Sequence, residues 1–206
     1  SNLNDGRKLF PDDVSLLFAE INHFLRINKL DELIGKLKTA IEKEPDNLSL
    51  YTTMGNVYDQ LFQRESNDGD GPESNLATEY FDNALSYYNQ ALEKKPDHTD
   101  AKYSIGALYF NRAATYTNEL QELADDFSKE GQRKYEALQD KVNGEFEAAL
   151  PYFIEVEKVK PADVNTLIAL KEIYARKSDY DTSTEFKTRL ETVQGGGTVD
   201  SYFLKQ

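Results

Sequence analysis

The chain has 206 residues, a formal net charge of −13 and a pI near 4.6, which argues against general nucleic-acid binding, since that needs basic surface to displace counterions. It holds no cysteine, so disulfides and thiolate metal sites are excluded, and no apolar run approaches the roughly 20 residues that span a bilayer. Hydrophobic residues make up 39% and aromatics 12%, enough for a folded core, and Ala, Leu, Glu and Lys dominate between sparse Pro and Gly, which favours an all-α protein.

Four prolines follow charged, helical-looking segments: Pro11 in "KLFPDD", Pro45 in "KEPDN", Pro96 in "KKPDH" and Pro161 in "KVKPAD". The first interval is 34 residues, and the next two exceed that period by 17 and 31. A 34-residue period is that of a helical hairpin that cannot bury its apolar face alone and must stack on neighbours. Proline ends each second helix because the residue before it is pushed out of the α region.

In chain order, the first unit (about 14–47) shows Leu17, Phe24, Leu37 and Ala40. The second (48–98) shows Met54-Gly55, Tyr58, Ala84, Tyr88 and Ala91, with an insertion over 63–77 whose "RESNDGDGPES" reads as a solvated Asp/Gly loop and whose end, Glu73 to Thr78, begins the next helix. The third (99–163) shows Ile105-Gly106, Tyr109, Ala149, Phe153 and Val156. Its insertion repeats apolar residues at spacings of 3 and 4. Ala113, Tyr116, Leu120, Leu123 and Phe127 lead out, and Tyr135, Leu138, Val142 and Phe146 lead back. That is the seam of an antiparallel pair, so both helices of this unit are expected to be longer, with "SKEG" as the tip and a kink near 147–151 at Pro151. The fourth unit (164–194) shows Leu167, Leu170 and Tyr174, and "GGG" at 195–197 reads as a flexible link to a tail at 195–206.

Met54-Gly55-x-x-Tyr58…Ala84-x3-Tyr88-x2-Ala91-x4-Pro96 resembles the tetratricopeptide repeat, and the resemblance spans nearly the whole chain. It implies an all-α superhelix of stacked helical hairpins with one hairpin extended. Ile21 and Lys171 depart from the small residue usual at their positions. The stretch "ALPYFIEVEKVKPADVNTLIALKEIYAR" looks like the end of secreted or envelope tetratricopeptide proteins of bacteria. With Pro11 closing a repeat, residues 3–10 read as the last turns of a helix whose partner lies upstream, so the chain reads as a C-terminal fragment of a longer array. A native start with residues 1–10 as a lead-in is the alternative.

No catalytic constellation emerges. His23 and His98 are the only histidines, His98 placed as a cap in its Pro-Asp-His turn, and no phosphate loop, nucleophile elbow or HExxH helix occurs. No cofactor or metal is expected. The resemblance implies a non-enzymatic scaffold that takes a protein or peptide in the groove lined by the first helix of each unit. Mapped residue by residue, that groove holds Asn22, Arg26, Ser49, Thr52, Asn56, Asp59, Tyr103, Phe110, Asn111, Asn165, Glu172 and Arg176. Tyr103 and Phe110 either pack between helices or face the groove beside the asparagine amides. The clamp by which some relatives hold a chaperone C-terminus is rejected: Asn56 fits one asparagine position, but Ser104 stands at the other, and Thr52, Asn165 and Ala169 stand where it needs cations. The alternative function is self-association through the long hairpin or the Tyr202-Phe203-Leu204 tail.

Overall fold

The computed structural model describes residues 14–27 and 29–204. They form eight helices: α1 (Val14–Arg26), α2 (Leu30–Lys43), α3 (Leu48–Asp68), α4 (Asn75–Lys94), α5 (Thr99–Leu123), α6 (Lys129–Val159), α7 (Val164–Arg176) and α8 (Tyr180–Gln194). Each odd helix packs on the even helix after it. The hairpins stack in chain order through α2–α3, α4–α5 and α6–α7, and α3 also touches α5. The fold is an all-α stack of helical hairpins with the third one extended. The reading of residues 3–10 lies outside the described residues.

The recurring proline motif is one turn used three times. In each, the residue two after the proline caps the next helix. Asn47 accepts from the Ser49 amide, His98 Nδ1 from Ala101 and Asp163 from Thr166. The amides of these caps in turn donate to Glu44, Lys95 and Lys160, at 3.1, 3.0 and 3.0 Å. Ser74, Ser128 and Asp179 cap α4, α6 and α8 by the same chemistry.

Buried side chains follow the 3–4 spacing that puts one helix face inward: Leu30, Leu33, Leu37 and Ala40 on α2, Phe81, Ala84, Tyr88 and Ala91 on α4, and Leu138, Val142, Phe146, Ala149 and Phe153 on α6. One core fills the first two hairpins and reaches Ile105 and Leu108 of α5; a second fills the last two. Tyr109 packs against both, with its ring 5.5 Å from Phe81 and 6.4 Å from Tyr152.

Three expectations are corrected. The insertion at 63–77 is mostly helix: α3 runs to Asp68, α4 starts at Asn75, and only 69–74 is loop. Glu65 clasps that loop, accepting from the Asp70 amide at 3.3 Å and the Ser74 hydroxyl at 3.1 Å. Glu73 of the loop pairs with Lys141 of α6, so the two insertions lean on one another.

The tip of the long hairpin comes earlier than "SKEG". The turn occupies 124–128, where Ser128 donates its amide to Asp126 Oδ1 at 3.0 Å, and α6 begins at Lys129. Phe127 therefore falls in the turn, 81% exposed, and Tyr135 also lies outside the seam, which is buried at Tyr116, Leu120, Leu138 and Val142. α5 and α6 have 25 and 31 residues, about 37 and 46 Å long, and Pro151 lies within the helical span of α6.

The tail is docked. Ser201 is buried, and Tyr202 and Phe203 close on Phe186 at 5.2 and 5.8 Å. A buried carboxylate, Glu157, holds this segment, so the tail is not the flexible extension that "GGG" suggests.

Candidate functional site

The residues mapped to the groove fall into two groups. α5 and α7 line a trough together with α6, which pairs with α5, packs on α7 and contributes Phe146 and Phe153. Tyr103, Phe110, Asn111 and Asn165 line a depression of about 260 Å³ with Phe153, Ala107, Ile168 and Ala169. Phe110 and Ile168 are shared with an adjoining depression of about 280 Å³, lined also by Phe146, Thr117, Asn118, Glu172 and Arg176. Four of the expected residues thus meet in one hollow, and Glu172 and Arg176 join the next.

The two readings of Tyr103 and Phe110 are both met in part. Each is half-buried. Tyr103 sets its ring edge-on to Phe153 at 6.0 Å, and Phe110 does so to Phe146 at 5.1 Å and Phe153 at 6.2 Å. Their other faces line the trough. Burial first, and then the Asp163 carboxylate, raises the Tyr103 hydroxyl above its ordinary range, while Asn165 acts against them as a hydrogen-bond partner.

Ile168 was missed. It is 40% exposed at the centre of the trough, where Leu167, Leu170 and Ile173 of the same helix are fully buried. An apolar side chain one position off a 3-spaced core stripe was the available signal. Charge is kept to the far end. There Glu172 accepts from Arg176 at 2.9 Å, the Arg176 guanidinium lies 4.8 Å from the Phe146 ring centre, and Lys177 reaches Glu147 at 3.1 Å. The middle of the trough is aliphatic and aromatic, with amides on its rim.

The second group sits on α3. Asn56 Oδ1 accepts from the Tyr88 hydroxyl at 2.8 Å, so its carbonyl is already engaged with the core. Asp59 accepts from Gln63 at 2.9 Å, and burial raises its carboxyl above the usual range against that hydrogen bond. Thr52 turns its hydroxyl back to Ser49 at 3.1 Å. Asn22 and Arg26 are exposed on α1, in the first hairpin. Among the described residues no group of three or more His, Cys, Asp or Glu is placed to hold a metal ion, and no helix is long and apolar enough to cross a membrane.

No family model matches the chain, and no curated protein is similar to it. Among solved structures it is similar to a tetratricopeptide repeat protein from Parabacteroides merdae, with 17% identity, a TM-score of 0.44, and cover of 96% of this chain and 72% of that one. YrrB, a TPR protein described as having an unusual peptide-binding site, is 16% identical at a TM-score of 0.40, covering 95% and 93%. A TPR protein of Thermus thermophilus is 15% identical at 0.39, covering 91% and 87%.

Proposed function

We propose that the chain is a non-enzymatic interaction scaffold, and that a protein segment lies along the trough between α5 and α7. The observation that carries this reading is Ile168, an exposed aliphatic side chain at the meeting of two hollows whose walls are Phe110, Phe146 and Phe153. An apolar trough with an amide rim suits an extended or helical segment. Apolar side chains of that segment fill the hollows, and the amides of Asn111, Asn118 and Asn165 pair with its backbone. The centre of the site lies on Phe110, Asn111 and Ile168 rather than on Asn56, whose carbonyl already serves Tyr88.

The test is capture with the full chain from lysate, identification of the bound protein by cross-linking and mass spectrometry at α5 and α7, and a titration with the purified partner. Ile168→Glu sets a charge in the apolar middle and is expected to weaken binding at least about tenfold while the helical signal stays unchanged. Unchanged affinity in that variant, or cross-links confined to other helices, overturns the groove reading.

Self-association through the long hairpin is the second reading, and Phe127 favours it. This ring is 81% exposed at the tip, beside Leu123 and Tyr135 on a shallow hollow of about 200 Å³. Light scattering of Phe127→Ser against the unaltered chain separates the two readings.

A further inference from the structure

The C-terminal strap is bound the way a peptide ligand is bound. Gly195, Gly196 and Gly197 turn the chain back at the end of α8, their amides donating to Glu191, Val193 and Thr192, with Gly196 at φ +83°, where a residue bearing a Cβ is strained. The returning segment then crosses a seat built from α6 and α8. Glu157 of α6 has no exposed surface; its Oε2 accepts from the Ser201 hydroxyl and its Oε1 from the Tyr202 amide, each at 2.6 Å. Arg189 of α8, 3.9 Å from Oε1, donates to the Asp200 carbonyl at 2.6 Å, and its guanidinium lies 5.3 Å from the Tyr202 ring centre. Phe186 receives both strap rings, and the Leu204 amide closes the turn on Ser201 Oγ at 3.2 Å.

A carboxylate without solvent is costly unless hydrogen bonds satisfy it. Here the two closest partners of Glu157 come from a segment attached only through a three-glycine hinge. The seat reads backbone and side chain together: an amide and a serine hydroxyl at Glu157, a carbonyl at Arg189, two aromatic rings at Phe186. That is a recognition site for a short Ser-aromatic-aromatic segment.

We propose that this seat is a peptide-docking site closed by the chain's own strap, and that its occupant in trans is the strap of a second copy, exchanged reciprocally. The seated strap names the occupant. A second copy carries the same residues, every seat contact is available to it unchanged, and only the glycine hinge directs the strap back to its own seat. This inference is independent of the α5–α7 trough.

Three full-length forms test it, by light scattering and by hydrogen exchange at the Tyr202 amide. Changing Gly195, Gly196 and Gly197 together to Ala denies the positive φ and lets α8 run on, so the strap no longer reaches its own seat. That variant is expected to be a dimer with the Tyr202 amide still protected. Adding Ser201→Asp, which sets a second carboxylate against Glu157, is expected to return it to monomer and abolish protection. A hinge variant that stays monomeric, or a dimer that survives Ser201→Asp, overturns the proposal.

A labelled peptide of residues 198–206 decides the matter even if the hinge variant fails to fold. It should bind the Ser201→Asp chain saturably. It should bind the unaltered chain at least about tenfold more weakly, because the tethered strap competes at an effective concentration on the order of millimolar. No binding to the Ser201→Asp chain overturns the proposal as well.

Discussion

The ring of Tyr88 fills the space that a side chain at Gly55 would take: a methyl carbon there would stand 2.3 Å from Cε1 and 2.5 Å from Cδ1. The absent side chain lets α4 lie against α3, and it carries the Tyr88 hydroxyl through to Asn56 on the far side. Alanine at an ordinary helix-interior glycine gains roughly 0.5–1 kcal/mol. At Gly55 overpacking reverses the sign, and Gly55→Ala is expected to cost about 1–3 kcal/mol in denaturant unfolding.

Gly35 and Gly144 are the controls. Both are helical and exposed, and a Cβ on either meets nothing within 4 Å. Gly35→Ala and Gly144→Ala should each raise the unfolding midpoint, by roughly 0.5–1 kcal/mol in stability. A loss at either site would contradict the placement of that helix face.

What could be read in advance was local. The turns after Pro45, Pro96 and Pro161 and the 3–4 stripes are written in neighbouring residues, so hairpin pairing followed from the chain alone. The groove depends on how hairpins tilt against one another, which neighbouring residues do not encode. The resemblance maps Asn56 to the groove, but does not foretell that Tyr88, 32 residues later, takes the Asn56 carbonyl. Glu157 shows the limit most plainly. In "IEVEKV" it looks like Glu155, but Glu155 ends half-exposed in pairs with Lys102 and Lys158, while Glu157 ends with no exposure under the strap. Nothing in the local pattern separates two glutamates of one helix when a segment 44 residues away decides which is covered.

Arg112 joins the two cores. Its guanidinium carbon stands 3.3 Å from the Phe81 ring centre, and Nη2 meets Glu145 at 2.8 Å, with side chains only 20% and 15% exposed. Removing one partner leaves the other's charge poorly hydrated. Arg112→Ala is expected to cost about 3 kcal/mol, the lower end for an enclosed pair. Arg112→Met, which keeps the stem against Phe81, combined with Glu145→Leu should recover most of it. A double-mutant cycle in urea measures the coupling, and additive losses would show that the pair contributes little.

Asp59 predicts a pH dependence. Burial holds its carboxyl above the ordinary range, with the Gln63 amide opposing. Between the unfolded value, about 4, and the raised folded value, the folded chain binds more protons than the unfolded one. The contribution of Asp59 to stability therefore falls as pH rises through that window. Asp59→Asn keeps the acceptor for Gln63 and removes the buried charge, so it should be the more stable chain at neutral pH. Its advantage should shrink as pH falls through the raised folded value and be smallest below the unfolded one, where Asp59 is neutral folded and unfolded. Thermal melts across pH 4–7 test the sign, and an advantage that grows toward low pH would refute it.

The long hairpin predicts where a protease enters. Its seam is closed by Ala113, Tyr116, Leu120, Leu138 and Val142, all buried, so the backbone on either side is held in helix and shielded. The turn at 124–128 has neither protection, and Phe127, a preferred residue for chymotrypsin, is 81% exposed there. Dilute chymotrypsin should therefore cut after Phe127 before any other site in 113–146. The two halves should stay together on size exclusion, because Phe110, Phe146 and Phe153 still lock α5 to α6 below the cut. Mass spectrometry of the first products identifies the bond. Early cuts after Tyr116 or Phe146 would show that this hairpin opens along its length, and the trough floored by Phe146 would then not be a standing surface.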